Sequence, residues 1–476
     1  MSALIEPIKD TGEAKIRETG LRSRSFKELF EAWEKLHLVS HHGVSYIRND
    51  IIQYLRAHAD VAKGLRTNMA GIIHSYEAYR HFLAYFSEAL FPWITPYFSD
   101  PMSMRAQYLN QSRGLVFSAG NRQAPYLLTS IQSLRRIGCT LPIEVMYLGD
   151  SDLSEDFREE LEVLPDVVTR DLSRMVNDDG WTLAGWAGKP FSILYSSFRE
   201  VIFIDADSLF FRNPEELFEY PSYQKTGALF FKDRLMLPQS KKDWLQQILP
   251  KPISQKVRET RMWTGESAHM QESGVVVVDK WKHFVALLMV ARMNGPDRDG
   301  KKDQGLVGVY DMVYGDKETF WLGWELVGDL DYTFHAGDAA VMGSAQPEPQ
   351  TVQPATGDQG ASVASTKGNV PSTSPPKPPK HTICAPQLLH LDSNGRPLWF
   401  NGWLLPNKFS GDKYQKPGNF TSYIREPRDS RSSGSWELKQ NNVCCMTSTS
   451  VLDLSRDEVD VLGMTVDIAK RVGAIN

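Results

Sequence analysis

The segment Val201–Ser208, VIFIDADS, constrains the fold more than any other part of the chain. Its run of apolar residues predicts a buried strand, and Asp205 and Asp207 follow at the carboxyl end. Side chains two positions apart in an extended chain point to the same side, so the two carboxylates are expected to lie together. Close carboxylates repel each other unless a cation lies between them. Oxygen ligands suit Mg²⁺ or Mn²⁺, and a half-filled ligand shell leaves room for substrate phosphates.

Similar short apolar runs recur along the chain. They begin at Gly114 (GLVFSAG), Pro142 (PIEVMYLGD), Glu200 (EVIFID), Gly227 (GALFF) and Gly274 (GVVVVD). Between the first two runs, Leu127, Ile131 and Leu134 have the spacing of a buried helix face. Strands that alternate with helices predict an α/β fold with a mostly parallel sheet flanked by helices. Ligands bind at the carboxyl ends of strands in such sheets, which is where the two aspartates are expected to lie.

The composition excludes several classes of protein. Of the 476 residues 41% are hydrophobic, which is enough for a sizeable core. Lys and Arg number 53 against 58 Asp and Glu, so the net charge of −5 leaves no basic surplus for binding nucleic acid. The chain contains neither an apolar run long enough for a membrane span nor an N-terminal secretory signal, and as written it is expected to be soluble. The four cysteines lack metal-binding spacing.

Changes in composition divide the chain into four parts. Residues 1–112 are charged and contain amphipathic helical patterns without a catalytic cluster, which indicates a stem-like helical region. Residues 113–343 contain the strands and are the expected catalytic core. Residues 344–380 are rich in Pro, Ser, Thr and Gln without an aromatic residue, and are predicted to form a disordered linker. Residues 381–476 are expected to complete the catalytic domain.

A pair of aspartates after a strand also occurs in proteins of different function. Solvated aspartates often end a strand at a polar turn. A phosphatase of the haloacid-dehalogenase type also carries a DxD after a strand, and the pairs Gly328–Asp329 and Gly337–Asp338 could be mistaken for its later motifs. That fold places its DxD after the first core strand, whereas at least two strands are predicted before Val201. The order of strands therefore disfavours the phosphatase.

The residues around the aspartates carry a more specific signal. From Trp186 the chain runs WAGKPFSILYSSFREVIFIDADSLFFRNPEELF, which resembles nucleotide-sugar glycosyltransferases of the GT-A fold and is similar to the glycogenin-like enzymes. The block from Gly114 to Gly343 resembles the fungal α-1,3-mannosyltransferases, glycosyltransferase family 71. The matching stretches are GLVFSAGN, LPIEVMYLGDSDL, GWAGKPFSIL, TGALFFKDR, QESGVVVVDK and YGDKETFWLGWELVG, and ICAPQLLHLDSNGRPLWFNG resembles the closing segment of that family.

The resemblance implies a metal and nucleotide site. Asp205 and Asp207 match the DxD that holds Mn²⁺ (or Mg²⁺) against a nucleoside diphosphate, where the metal offsets the charge on the leaving group. His390 corresponds to the histidine that completes the metal shell in the glycogenin-like enzymes, and a packed or surface histidine is the alternative. Lys189 falls where those enzymes place a lysine near the phosphates, and a plain surface lysine is the alternative.

Three acids are candidates for the catalytic role. Glu272 lies in QESGVVVVD, where related enzymes contact the donor sugar. Asp316 and Glu318 occupy the region in which the relatives have their acceptor-side or catalytic acid. A carboxylate beside the positive charge that develops on the sugar lowers the barrier electrostatically. The sequence does not distinguish among the three.

The segment TFWLGWEL that follows holds the candidates for acceptor binding. Trp321 and Trp324 are expected to stack on a sugar face, and Glu325 is a further acceptor-binding candidate. Aromatic residues at this spacing on a helix are equally typical of a packed core.

The resemblance implies transfer of mannose from GDP-α-mannose to a hydroxyl of an acceptor mannose, in an α-1,3 linkage with retention of configuration. An α-1,2 linkage is the close alternative because related enzymes share most of these motifs. A non-catalytic glycan-binding subunit of a mannosyltransferase complex is a third hypothesis, although such a protein is expected to lose its acids. Family members are type II Golgi proteins, so a lumenal location with Golgi membrane association is expected, although this sequence shows no N-terminal anchor.

Overall fold

The computed structural model describes residues 2–42, 44–58, 60, 63, 68–348, 379–407, 415–427 and 436–475. The strands are β1 (Leu38–His41), β2 (Val44–Ile47), β3 (Arg113–Ser118), β4 (Ile143–Tyr147), β5 (Val167–Asp171), β6 (Glu200–Ile204), β7 (Ser208–Phe210), β8 (Ala228–Lys232), β9 (Gln271–Asp279), β10 (Thr333–Phe334), β11 (Ala339–Gly343), β12 (Gln346–Pro347), β13 (His381–Ala385), β14 (Leu388–Leu391), β15 (Pro397–Asn401), β16 (Ser422–Arg425), β17 (Trp436–Leu438), β18 (Cys444–Ser448) and β19 (Leu452–Asp453). The α-helices are α1 (Ser2–Ile5), α2 (Gly12–His37), α3 (Ile51–Ala57), α4 (Met69–Leu90), α5 (Pro101–Ala106), α6 (Ala124–Arg136), α7 (Glu155–Glu162), α8 (Gly188–Tyr195), α9 (Pro221–Thr226), α10 (Lys242–Ile248), α11 (Gln255–Arg258), α12 (Arg261–Thr264), α13 (Phe284–Asn294), α14 (Thr319–Leu326) and α15 (Arg456–Arg471).

A seven-stranded sheet with the order β10-β8-β9-β6-β3-β4-β5 forms the centre of the molecule. All neighbouring strands in it run parallel except β9, which is antiparallel to both β6 and β8. Helices cover both faces, so the strands are buried on both sides and read as continuous apolar runs. The structure confirms the expected α/β class, in which a mostly parallel sheet is flanked by helices.

The alternating side chains of β6 contribute to two different cores. Val201 and Phe203 belong to a core that includes residues of α2, α13 and α14. Ile202 and Ile204 belong to a second core that includes the buried face of α6. Because both cores fix the strand, the backbone that leaves β6 at Asp205 has a defined position.

The N-terminal helices pack on the first of these cores. Phe30 of α2 lies 5.7 Å from Phe284 of α13 between ring centroids. Arg24 of α2 donates hydrogen bonds to the carbonyl oxygens of Leu326, at 2.8 Å, and Glu325, at 2.7 Å. The region that the sequence suggested as a stem is thus joined to the domain at α2. Among the described residues, none of the helices combines the length and apolar character that crossing a bilayer requires.

A second sheet brings the C-terminal part of the chain onto the end of β6. Its order is β19-β16-β11-β14-β15-β7, and its pairs are antiparallel. Strand β7 begins at Ser208, directly after the two aspartates, and Ser208 pairs with Asn401 of β15. Residues far apart in the sequence therefore meet at the carboxyl end of β6.

A small antiparallel sheet, β12-β13-β18-β17, contains the disulfide Cys384–Cys445. Strand β12 pairs with β13 through Gln346 and Pro347, so the predicted linker 344–380 contains ordered residues at its start. The central part of that predicted linker, 349–378, lies outside the described residues.

Candidate active site

Asp205 leaves the end of β6 and contacts a buried lysine. Its N–H donates to the carbonyl oxygen of Gly274 in β9, at 2.8 Å, which continues the backbone pairing one residue beyond the strand. Lys189, in the first turn of α8, donates from Nζ to Asp205 Oδ2 at 2.8 Å and to Ser273 Oγ at 3.2 Å. The lysine is buried, so the alternative of a plain surface lysine is wrong.

Asp316 completes this first group of charges. Its Oδ2 lies 3.5 Å from Lys189 Nζ and, among the described residues, has no hydrogen-bond partner. Burial raises the pKa of Asp205 to about 7, the Lys189 ammonium opposes that rise, and the carboxylates of Asp207 and Asp316 add to it. Burial lowers the pKa of Lys189, but Asp205 and Asp316 outweigh it, so this pKa lies above its usual value. This first group thus combines two acids, Asp205 and Asp316, with one cation, Lys189.

A second group of charges surrounds Lys317. Its Nζ donates to Glu272 Oε2 at 2.6 Å and to Asp233 Oδ2 at 2.8 Å. Glu272 Oε1 accepts from Asn401 Nδ2 at 3.0 Å and from the Gly274 N–H at 2.9 Å. Burial alone would raise the pKa values of Glu272 and Asp233, but Lys317, with smaller contributions from Arg234 at Asp233 and Lys189 at Glu272, holds both pKa values below their usual range.

Strand β9 joins the two groups. Ser273 accepts from Lys189 while its neighbour Glu272 accepts from Lys317, because successive side chains of a strand point to opposite sides. The next residue, Gly274, is closely packed, since a Cβ there would lie 3.0 Å from both Asn401 Nδ2 and Ser208 Oγ and would force these side chains to shift. The Glu-Ser-Gly triplet thus positions one residue toward each group and lets the backbone approach β7 and β15.

The sequence interpretation missed Asp233, Lys317 and Asn401. Asp233 follows β8 just as Asp205 follows β6, so the same signal of a buried strand ending near an aspartate was present in GALFFKD. Lys317 lies between Asp316 and Glu318, which are both predicted site residues. Nothing in the sequence near Asn401 indicates its contact with Glu272.

The carboxylate of Glu318 is held by hydrogen bonds from the protein itself. Its Oε1 accepts from the Met270 N–H at 2.8 Å, and its Oε2 accepts from Trp321 Nε1 at 2.6 Å. Burial raises the pKa of Glu318 to about 7, and these hydrogen bonds oppose the rise. Since both oxygens have protein partners, the geometry favours Glu272 and Asp316 over Glu318 as acids that act on a substrate.

The structure does not support acceptor binding by Trp321, Trp324 and Glu325. Both tryptophans are fully buried in the core between the central sheet and α13. Glu325 Oε1 accepts from Ser254 Oγ and from Tyr332 OH, each at 2.8 Å. These three side chains are satisfied inside the protein, so the core interpretation of this helix is the correct one.

His390 also differs from its expected role. It pairs with Trp399 across β14 and β15, and the two rings stack at 4.0 Å. Burial lowers the pKa of His390 to about 3, and its Nε2 has no hydrogen-bond partner among the described residues. In the described part of the chain, no three His, Cys, Asp or Glu side chains are grouped so as to hold a metal ion. His390 is therefore not gathered with Asp205 and Asp207.

The donor chemistry of the two aspartates nevertheless fits a hard divalent cation. Both are partly exposed at the end of β6, and carboxylate oxygens are the ligands that Mn²⁺ and Mg²⁺ accept. Two protein ligands leave positions for phosphate oxygens. The residues that suit a divalent cation are therefore Asp205 and Asp207, and His390 is not one of them.

Comparisons with known proteins agree with the family indicated by the motifs. The model of the Mannosyl_trans3 family of mannosyltransferases matches residues 112–392. Alpha-1,3-mannosyltransferase MNT3 of Saccharomyces cerevisiae is 26% identical over 349 residues, 67% of this chain and 50% of MNT3. Alpha-1,3-mannosyltransferase MNT2 of the same yeast is 26% identical over 330 residues, 62% of this chain and 52% of MNT2. The chain thus spans about half the length of these curated relatives.

Among solved structures, core-mannan synthase A of Aspergillus fumigatus in its Mn/GDP form is 13% identical, with a TM-score of 0.31 over 48% of this chain and 73% of that chain. The family match covers more than half of the present sequence, including both groups of charges. The protein belongs to the Mannosyl_trans3 family of mannosyltransferases.

Proposed function

We propose that this protein is a metal-dependent, retaining mannosyltransferase that moves mannose from GDP-mannose to a mannose hydroxyl of a glycan acceptor. The observation that carries the proposal is the group formed by Lys189, Asp205 and Asp316 at the carboxyl end of β6. Asp207 lies two residues beyond Asp205 in the same segment. Family membership, together with the names of relatives such as MNT3, supports mannose as the sugar and α-1,3 as the linkage.

Asp205 and Asp207 are the residues that would hold Mn²⁺ or Mg²⁺. Such a cation supplies Lewis-acid stabilisation of the leaving nucleoside diphosphate. Lys189 keeps Asp205 in place through its 2.8 Å hydrogen bond and adds a fixed positive charge on the side where phosphates would lie. A buried lysine costs no reorganisation when negative charge develops beside it.

The acids of the two groups are assigned to the sugar side of the reaction. Glu272 is held by Lys317 and Asn401, and Asp316 faces Lys189 with one oxygen that has no hydrogen-bond partner among the described residues. A carboxylate fixed before the reaction stabilises positive charge on the sugar as its bond to the phosphate breaks. Both acids are therefore candidates for catalysis, and Glu318 is assigned as a positioning residue, which accepts from the Met270 N–H and Trp321 Nε1.

We place the enzyme in the lumen of the Golgi. The disulfide Cys384–Cys445 supports this assignment because structural disulfides persist in oxidising compartments and are rare in the cytosol. The family resemblance indicates the same location. Immunogold labelling with a protease-protection assay on sealed vesicles tests it, and labelling outside the lumen would contradict the assignment.

The first experiment is thermal unfolding of the purified chain with GDP, UDP or ADP, each with and without Mn²⁺. A ligand at about 100 times its dissociation constant adds about 2.7 kcal/mol of stability, which is a measurable shift in Tm. We expect a shift with GDP that requires Mn²⁺ and is lost in Asp207→Ala. The matched control is Asp460→Ala, an exposed aspartate of α15, which should keep the shift.

Transfer is then measured with GDP-mannose and mannobiose, and the linkage of the product is determined by NMR. A preference for UDP would contradict the proposed donor. An α-1,2 product would keep the reaction class and change the linkage. If the Tm does not shift with any of the nucleotides, in a protein that unfolds cooperatively, the transferase proposal is contradicted and a non-catalytic subunit is favoured.

A further inference from the structure

Two large aromatic side chains are exposed next to each other beside the charged groups. Trp186 has 54% and Tyr314 has 58% of its surface exposed to solvent, and their ring centroids lie 5.8 Å apart. The ring of His269 meets Tyr314 edge-on at 6.2 Å. Single exposed aromatic residues are common on protein surfaces, but an adjacent pair forms an apolar surface of the kind that binds ligands.

The chain connections place this pair at the candidate active site. Trp186 precedes Lys189 by three residues, just before α8 begins. Tyr314 precedes Asp316 by two residues, in the turn that leads to α14. Because Lys189 and Asp316 contact each other, the two short segments that carry the aromatic rings are fixed beside the first group of charges.

Packing at the turn holds Trp186 in a defined orientation. Gly315, between Tyr314 and Asp316, has a φ of +63°, a value that favours glycine. A Cβ at this position would lie 2.9 Å from Trp186 Cε3, so the indole rests directly on the backbone of the turn. The tryptophan is thus supported by the protein on one side while more than half of its surface remains open.

The chemistry of such a pair fits a sugar ring. Tryptophan and tyrosine each combine a broad apolar ring with a polar N–H or O–H, whereas a mannose ring has C–H groups on its faces and hydroxyls at its rim. The two tryptophans that the sequence suggested for this task, Trp321 and Trp324, are fully buried and are not available to a ligand. The exposed pair supplies the aromatic surface that α14 does not.

We propose that Trp186 and Tyr314 form an acceptor platform, on which a mannose ring of the acceptor glycan stacks beside the charged groups. The platform rests on the proposed function in that the bound sugar is the acceptor for transfer. The ligand class is a mannose-terminated oligosaccharide, and its binding can be measured without measuring transfer. The rings orient the sugar, and the acids Glu272 and Asp316 remain the candidates for chemistry.

The test is binding of α-linked mannobiose to the full chain, measured by calorimetry with and without GDP and Mn²⁺. We expect Trp186→Ala and Tyr314→Ala each to weaken binding about tenfold, and Trp186→Phe to retain most of the affinity because a ring is kept. The control is Tyr85→Ala, an exposed tyrosine on α4, which should bind as the parent does. Thermal unfolding of each variant shows whether it is folded.

The outcomes separate this proposal from the proposed function. Mannobiose binding that survives in a folded double variant, Trp186→Ala with Tyr314→Ala, would overturn the platform, and so would a parent chain that does not bind mannobiose. A parent that binds mannobiose through these rings but shows no GDP-dependent shift in Tm would support the platform and contradict the transferase assignment. Transfer assays add a further readout. Loss of the platform should raise the KM for the acceptor, and the factor by which KM rises should be about ten times the factor by which kcat falls.

Discussion

Lys189 Nζ lies 2.8 Å from Asp205 Oδ2, and this contact links the first turn of α8 to the end of β6. The same ammonium lies 3.5 Å from Asp316, so one buried cation holds two acids that come from distant parts of the sequence. A cation in this position allows carboxylates to be concentrated in the protein before any ligand arrives.

Replacing this cation should therefore destabilise the protein. In Lys189→Met the side chain keeps its length but leaves Asp205 and Asp316 without their partner, and breaking a buried ion pair in this way costs about 3 kcal/mol. Urea unfolding of the parent and variant at pH 7 measures the loss. The control, Lys470→Met, changes an exposed lysine of α15 and should cost less than about 0.5 kcal/mol. Equal stability of Lys189→Met and the control would show that the contact is not important for folding.

Local patterns in the sequence were sufficient to predict the strands of the sheet and the aspartate that follows β6. The apolar run before Asp205 defines a strand buried on both faces. The period of two applies only to an extended chain, and here the chain turns at Ala206 and Asp207, where the Ser208 N–H donates to the Asp205 carbonyl oxygen at 2.9 Å. Lys189 was identified through its motif. The strand, Asp205 and Lys189 are each indicated by neighbours within a few positions, which one sequence shows, whereas the contact of Lys189 with Asp316 joins distant segments.

The features that were missed or misassigned depend on contacts between distant segments. The register of β14 against β15 places His390 opposite Trp399, and its ring stacks on that indole instead of joining Asp205 and Asp207. Asn401 meets Glu272 only because β15 pairs with β7. Trp321 and Trp324 are buried because α14 packs against α13 and the sheet. The spacing of the two tryptophans in the sequence suits a buried core and a binding groove equally, so the sequence alone does not reveal this packing.

The second group of charges gives a prediction for pH. Lys317 keeps the pKa values of Glu272 and Asp233 below their usual values near 4, so their contribution to stability is complete above about pH 4 and is lost as the pH falls further. In Lys317→Met burial is opposed mainly by Arg234 at Asp233 and by Lys189 at Glu272, so both pKa values should rise and the charged forms should become less favourable in the folded state. The stability lost in this variant, relative to the parent, should therefore grow as the pH rises from about 5 to about 8.

Free energies of unfolding in urea, measured at several pH values for the parent and Lys317→Met, test this expectation. Lys302→Met, at an exposed position, provides the matched control and should show no change with pH. A loss in Lys317→Met that is the same at both ends of this pH range would mean that Glu272 and Asp233 do not depend on this lysine for their charge.

Glu272 and Glu318 can be separated by matched substitutions to glutamine. Glu272→Gln removes a negative charge from the proposed sugar side of the site, and we expect kcat to fall about 100-fold while the GDP-dependent shift in Tm remains. Glu318→Gln places an amide where Trp321 Nε1 and the Met270 N–H both need acceptors, so we expect a loss of about 2 kcal/mol in stability and less than a tenfold change in kcat. Kinetics below the melting temperature and urea unfolding measure the two effects. If Glu318→Gln were the slower enzyme at equal stability, the assignment of the two acids would have to be exchanged.

The disulfide Cys384–Cys445 should stabilise the C-terminal sheets, since it joins β13 to β18 across 61 positions of sequence. Closing a loop of that length restricts the unfolded chain and contributes about 4 kcal/mol. We expect the double variant Cys384→Ser with Cys445→Ser to lose stability by this amount in urea, and reduction of the parent by dithiothreitol to give a similar loss. The reductant should have no further effect on the double variant, which controls for Cys139 and Cys444. A parent whose stability is unaffected by reduction would show that the small sheet is held by its strand pairing alone, and the disulfide would then no longer support a lumenal location.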